Sequence, residues 1–123
     1  MSVHIRRAEA QDGPLLRSLI QALADYEKEP DAVELTEAEL AHQLSSDAPP
    51  FHCFIAENEA KTPLGFALYF FSYSTWKGRP GVYLEDLFVV PEARRLGVGR
   101  ALMNALIAVG RSEGCARLEW SVL

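Results

Sequence analysis

Apolar positions along this chain switch between two periods, and the switches mark its elements. Val3 and Ile5 alternate with polar neighbours, which predicts a first strand over Val3–Ala8. Leu15, Leu16, Leu19, Ile20 and Leu23 then recur at helical spacing and predict one apolar helix face. Asp12 stands where it would cap that helix, and Pro14 falls in its first turn. The pattern fades at Tyr26–Glu27, ahead of Pro30. Thr36 followed by Glu39 fits a capping box and predicts a short second helix ending near Leu44.

Beyond the loop over Ser45–Pro50, Phe51–Glu57 and Leu64–Tyr73 read as the next two strands. The polar Asn58–Pro63 stretch joins them as an antiparallel hairpin. Phe66–Tyr73 is almost wholly apolar or aromatic, the signature of a strand covered on both faces. Trp76–Gly81 reads as a turn-rich loop and Val82–Val90 as a fourth strand. Strict alternation there would set Tyr83, Glu85, Leu87 and Val89 on one face and Leu84, Asp86, Phe88 and Val90 on the other. A third helix is predicted from Val98 to about Glu113, with Leu102, Leu106 and Val109 inward and Gly114 just past its end. Arg117–Val122 reads as a fifth strand. Without repeats or a linker, these elements predict one α/β (α+β) domain over residues 1–123.

Composition narrows the classes of function. The chain has 123 residues, 49% of them apolar and 24% charged, as in globular proteins with one modest core. Seventeen acidic against twelve basic residues give a net charge of −5. That argues against a nucleic-acid partner and is compatible with a cationic substrate. No apolar run is long enough to cross a bilayer, and no apolar run follows the basic residues of the N-terminus. Neither a membrane partner nor a signal peptide is expected. Cys53 and Cys115 are expected to be reduced thiols of a cytoplasmic protein. His4, His42 and His52 are scattered, so no metal site is expected. Trp76 reads equally as a pocket wall, an interface anchor or a cap on the core.

The chemistry concentrates in Asp86–Leu102, where an apolar strand feeds a basic loop with two glycines that opens a helix. Amides of a first helical turn lack intrahelical partners, and Gly97 and Gly99 would let an anion approach the main chain. Arg94, Arg95 and Arg100 add charge. The alternative is a tight turn into an ordinary helix. The loop lacks the Gly-Lys-Ser/Thr of a Walker motif and the third glycine of a dinucleotide fingerprint. Glu85 and Asp86 are adjacent carboxylates inside an apolar strand; either that half of the strand is wet, or one of them faces a cavity. Tyr26 and Glu27 read from periodicity as an exposed helix end.

Arg94-x-x-Gly97-x-Gly99, directly after Val89-Val90-Pro91, resembles the acetyl-coenzyme A signature of the GNAT superfamily of N-acetyltransferases. Leu23-Ala24-Asp25-Tyr26-Glu27, Gly65-Phe66-Ala67-Leu68-Tyr69-Phe70 and Tyr83-Leu84-Glu85-Asp86-Leu87-Phe88-Val89 are similar to its spermidine/spermine acetyltransferase branch, and the likeness runs along the whole chain in order. The resemblance implies a central mixed, mainly antiparallel sheet flanked by helices. It implies acetyl-CoA as co-substrate and a small primary amine as acceptor: a polyamine, a diamine or a lysine-like amino acid. It also implies direct transfer in a ternary complex and a homodimer. An alkylammonium with a pKa near ~10.4 costs roughly 4–5 kcal/mol to deprotonate at pH 7, so a proton acceptor is needed. Glu85 is the candidate base, directly or through water. Tyr26, Glu27 and Asp86 would line the amine pocket with it. The coenzyme would lie along Leu87, Phe88 and Val89, with its pyrophosphate on the amides of Arg95, Leu96, Gly97, Val98, Gly99 and Arg100 beside Arg94.

Family members continue with a tyrosine-bearing helix and two further strands, and that tyrosine protonates the leaving thiolate. The sequence here stops at Leu123, before that segment. The expectation is therefore a C-terminally incomplete domain: a fragment, a truncation completed by another chain, or a degenerate paralogue, with the first two favoured. A non-catalytic acyl-CoA-binding module and a protein N-acetyltransferase are the competing functional readings.

Overall fold

The structure, a computed structural model, describes residues 2–121. Its elements are β1 (His4–Arg7), a 3-10 turn (Ala10–Asp12), α1 (Gly13–Tyr26), α2 (Glu37–Leu44), β2 (His52–Glu57), β3 (Pro63–Ser74), β4 (Arg79–Val89), a second 3-10 turn (Pro91–Ala93), α3 (Val98–Ser112) and β5 (Leu118–Trp120). The strands form one sheet in the order β1-β2-β3-β4-β5. The first four run antiparallel to their neighbours, and β5 pairs parallel to β4. The predicted α/β class and the helix positions match this architecture. Val122, the predicted end of the fifth strand, lies outside the described residues.

Helices cover both faces of the sheet and so divide the core. On one face Val98, Leu102, Leu106 and Val109 of α3 pack on Phe54, Tyr69, Val82 and Leu84. On the other, Leu16 and Leu19 of α1 and Leu40 of α2 pack on Cys53, Phe66, Leu68 and Phe88. The Thr36–Glu39 capping box forms as predicted, with Thr36 Oγ1 accepting from the Glu39 amide at 3.1 Å and Glu39 Oε1 from the Thr36 amide at 3.0 Å.

Asp12 stands at the N-cap of α1, but its side chain does not cap that helix. Its carboxylate turns back instead, accepting from the Glu9 amide at 2.7 Å and from both terminal nitrogens of Arg6 at 2.8 Å. A charged donor outcompetes a backbone amide for a buried carboxylate. The loop predicted over Trp76–Gly81 is shorter than expected, because β4 already begins at Arg79. Pro80 is tolerated there opposite Tyr73, with its carbonyl accepting from the Ala116 amide. β3 is covered on both faces only in its first half. Phe71 (37% exposed) and Tyr73 (64%) project past the helices with the hairpin, and Trp76 at its tip is 98% exposed. Trp76 therefore neither caps the core nor walls the groove described below.

The strict alternation expected of β4 is broken. Leu87 pairs with Ala67 and Asp86 with Leu68, yet Leu84 pairs with Tyr69, so Glu85 is left over as a bulge. The bulge reverses the facing of the strand at that point. Leu84 packs with the α3 layer, whereas Phe88 packs with α1 and α2. Gly65 of β3 lies so close to β4 that a Cβ there would stand 2.3 Å from the Phe88 carbonyl oxygen.

Candidate active site

Among the described residues β5 pairs with β4 only at Val82, Tyr83 and Leu84. Beyond Leu84 the outer edge of β4 opens onto a groove of about 1070 Å³. The end of α1 walls it on one side, the start of α3 on the other, and the end of β5 closes it behind. Groove and bulge coincide: the residue without a partner on β3 is the one at the point where β4 leaves β5.

Nine residues singled out from the sequence line this groove. Tyr26 and Glu27 come from the end of α1; Glu85, Asp86, Leu87, Phe88 and Val89 from β4; Arg94 from the loop; and Gly99 from the first turn of α3. Arg95, Leu96, Gly97, Val98 and Arg100 do not line it with their side chains. Val98 is buried in the core under α3, and Arg95 and Leu96 are exposed on the loop. Tyr83, Met103, Trp120 and Ser121 line the groove without having been singled out. Met103 was legible, being one turn beyond Gly99 on the same helix face. Tyr83 and Ser121 join hydroxyl to hydroxyl beside it, a contact between distant residues with no local sequence signal.

The carboxylates of the groove stand close enough to repel one another. Burial pushes the Asp86 carboxyl up to about 6, and the charges of Glu85 and Glu27 push in the same direction. Aromatic surface lies next to this negative field. The Tyr26 ring meets Phe88 edge-on at 6.3 Å, and the Arg94 guanidinium sits 4.4 Å above the Tyr26 ring. Arg94 Nε also donates to the Val89 carbonyl at 3.2 Å. One cation thus already rests against the aromatic wall, which is how an ammonium group would be held there.

At the other end, the loop leaves Arg94 in extended backbone and turns twice through positive φ, at Arg95 (+70°) and Gly97 (+82°). Gly97 is the N-cap of α3 and provides no capping side chain. The first helical amide bond is that of Ala101 to the Gly97 carbonyl, at 3.0 Å. Among the described residues none accepts from the amides of Val98, Gly99 or Arg100. A Cβ on Gly97 would meet nothing within 4 Å, and one on Gly99 only Val89 Cγ2 at 4.0 Å. Free amides facing open space, with Arg94, Arg95 and Arg100 nearby, fit a diphosphate.

Cys53 is buried and its thiol is pushed up by that burial, which leaves it inert as a nucleophile. The neighbouring His52 ring stacks on Tyr69 of the α3 layer, so the two side chains belong to opposite faces and form no dyad.

The chain belongs to the acetyltransferase (GNAT) family, whose model matches residues 16–123. The thialysine N-epsilon-acetyltransferase of Bos taurus is 42% identical over 129 residues, spanning 98% of this chain and 75% of that protein. The spermidine/spermine N(1)-acetyltransferase-like protein 1 of Homo sapiens is 38% identical over 125 residues, 97% of this chain and 18% of that one. Among solved structures, an integron cassette protein from the mobile metagenome of V. cholerae superposes with a TM-score of 0.79 at 30% identity, covering 100% of this chain and 76% of its own. An aminoglycoside acetyltransferase from an uncultured soil metagenomic sample, in complex with sisomicin, shares the fold at a TM-score of 0.81 and 20% identity, covering 98% of this chain and 78% of its own.

Proposed function

We propose that this chain moves an acetyl group from acetyl-CoA to the primary amine of a small cationic substrate: a polyamine, a diamine or a lysine-like amino acid. The observation that carries the reading is the single groove joining unbonded α3 amides at one end to Glu85, Asp86, Glu27 and Tyr26 at the other. The amides of Val98, Gly99 and Arg100 and the flanking arginines hold the diphosphate, and the exposed edge of β4 at Leu87 and Val89 bonds the pantetheine amides. Glu85, free of the ladder on its bulge, takes the proton from the reacting ammonium, directly or through water. The neutral nitrogen then bonds the acetyl carbon as the carbon–sulfur bond breaks, and the proton the nitrogen sheds on becoming an amide passes to the departing thiolate, giving free CoA thiol. Asp86 and Glu27 hold a second, distal charge, and Tyr26 and Phe88 line the methylene chain between the two nitrogens. Most of the acceleration comes from aligning donor and acceptor. Names of relatives that act on thialysine, and of a spermidine/spermine acetyltransferase-like protein, support this acceptor class.

A homodimer belongs to the same reading, supported by the exposed Phe71, Tyr73 and Trp76 on the projecting hairpin. A reducing, cytoplasmic setting is supported by the two free cysteines.

The test is thiol release from acetyl-CoA with spermidine, putrescine, lysine and thialysine as acceptors. Glu85→Gln should lower kcat by about 100-fold with coenzyme affinity unchanged. Gly99→Leu, whose side chain would enter the groove without straining α3, should weaken coenzyme binding more than tenfold. Coenzyme bound without turnover of any amine would leave a binding module and end the proposal.

A further inference from the structure

Polar side chains one helical turn apart on α1 grip the segment that follows it. Arg17 Nε donates to the Leu35 carbonyl at 2.6 Å, and its Nη1 donates to Gln21 Oε1 at 2.9 Å. Gln21 Nε2 in turn donates to Asp25 Oδ1 and to the Pro30 carbonyl, each at 2.9 Å. The ladder therefore fastens the connection from α1 to α2 at two points, Pro30 and Leu35. Ahead of Pro30 the turn is held by Lys28 N–H to Asp25 O at 3.1 Å and Glu29 N–H to Ala24 O at 2.8 Å, and between the two points Ala32 N–H reaches back to Glu29 O at 3.1 Å. The connection leaves α1 through Lys28 in the left-handed conformation, φ +63°, a turn that a non-glycine residue keeps only when its surroundings hold it. Tyr26 and Glu27 stand at the root of this turn and face the groove.

We infer that Arg17 and Gln21 are positioning residues for acceptor binding: they fix the α1–α2 connection and through it set Tyr26 and Glu27 at the amine end of the groove. The inference rests on the acetyltransferase reading above. Glutamine suits position 21 because one side chain must accept from Arg17 and donate to both Asp25 and Pro30. A carboxylate there would lose the donors and repel Asp25, and an aliphatic side chain would lose all three bonds made by Gln21, leaving Arg17 on Leu35 alone. Arginine suits position 17 because its fork reaches a backbone carbonyl and a side chain together. The coenzyme end of the groove is built on β4 and α3 and meets the α1 end where Arg94 rests on Tyr26, while the free α3 amides lie away from the ladder, so the acceptor constants should move well beyond the coenzyme constant.

The test measures KM for thialysine and for acetyl-CoA separately, spermidine binding by calorimetry, and Tm. Gln21→Leu, which keeps helix propensity, should raise the thialysine KM and the spermidine dissociation constant about 5–10-fold while the acetyl-CoA KM stays within about twofold. Gln21→Glu should behave alike. Arg17→Lys, keeping one donor toward Leu35, should recover part of the loss seen in Arg17→Met. A lowered Tm with an unchanged thialysine KM, or equal changes in both KM values, would overturn the inference while leaving the acetyltransferase reading standing. A wild-type chain that transfers no acetyl group would sink that reading first, and this inference with it.

Discussion

Asp86→Asn should make the ligand-free protein more stable near neutral pH. The Asp86 carboxyl is raised from 3.8 to about 6, chiefly by burial and then by Glu85 and Glu27. A rise of that size disfavours the ionised form by about 3 kcal/mol. Part of the carboxyl still meets solvent, so screening brings the cost to about 1–2 kcal/mol. The sign follows from linkage. Because the folded value lies above the unfolded one, the folded state binds the extra proton. Stability is undiminished below about pH 3.8, falls as pH climbs toward 6, and stays lowered above it. The amide of Asn has the shape of the carboxyl without its charge. At pH 7.5 it should therefore raise Tm by roughly 3–8 °C, given a few degrees per kcal/mol for a domain of this size. At pH 4.5 the gain should shrink to about a third. Calorimetric scans of both proteins across that range are the assay. A gain equally large at pH 4.5, or none at pH 7.5, would refute the claim that a strained charge resides at Asp86.

Gly65→Ala should cost about 2–3 kcal/mol in chemical denaturation, because the added methyl would overlap the Phe88 carbonyl oxygen; an unchanged midpoint would mean that β3 and β4 part freely. Arg6→Met should cost about 1–2 kcal/mol at pH 7, since Asp12 is only 6% exposed and would keep the Glu9 amide alone. Arg6, by its hydrogen bonds, holds the Asp12 carboxyl below its ordinary value. That stabilisation is present above about pH 3.8 and lost as pH falls through the lowered folded value, so the two proteins should converge in acid unfolding. A constant gap across the acid range would argue against the pair.

How much could be read beforehand depends on the range of the interaction that decides each feature. The three helices and the Thr36–Glu39 box follow from spacings of three and four residues, and they stand where the pattern put them. Asp12 has the right residue type at the right place for a cap, but Arg6 and Glu9, brought close by the turn between β1 and α1, claim its oxygens. The facing of β4 failed for a similar reason. Period-two alternation carries no mark of a bulge, and only the register against Phe66–Tyr69 reveals that Glu85 stands outside the ladder. The groove residues carried by a motif, Arg94 and Gly99, were legible; Trp120 and Ser121 enter only because β5 returns beside β4. Arg94 shows the same limit, since its charge could be read but its reach to Tyr26 on a distant helix could not.

The unpaired residue of β4 puts the strand half a period out of phase with itself, and chain length can therefore change there without disturbing the pairs on either side. Replacing Glu85 changes one side chain at the lip of a cleft. Deleting it would join Leu84 directly to Asp86, whose partners Tyr69 and Leu68 are themselves consecutive on β3, so both halves of β4 would keep their pairs and their layers. A one-residue deletion should thus be better tolerated at this site than at Ala67 of β3, which is paired on both sides and where a deletion would slip half the strand by one residue. A survey of tolerated indels along the sheet would find its greatest tolerance where the pairing is locally weakest.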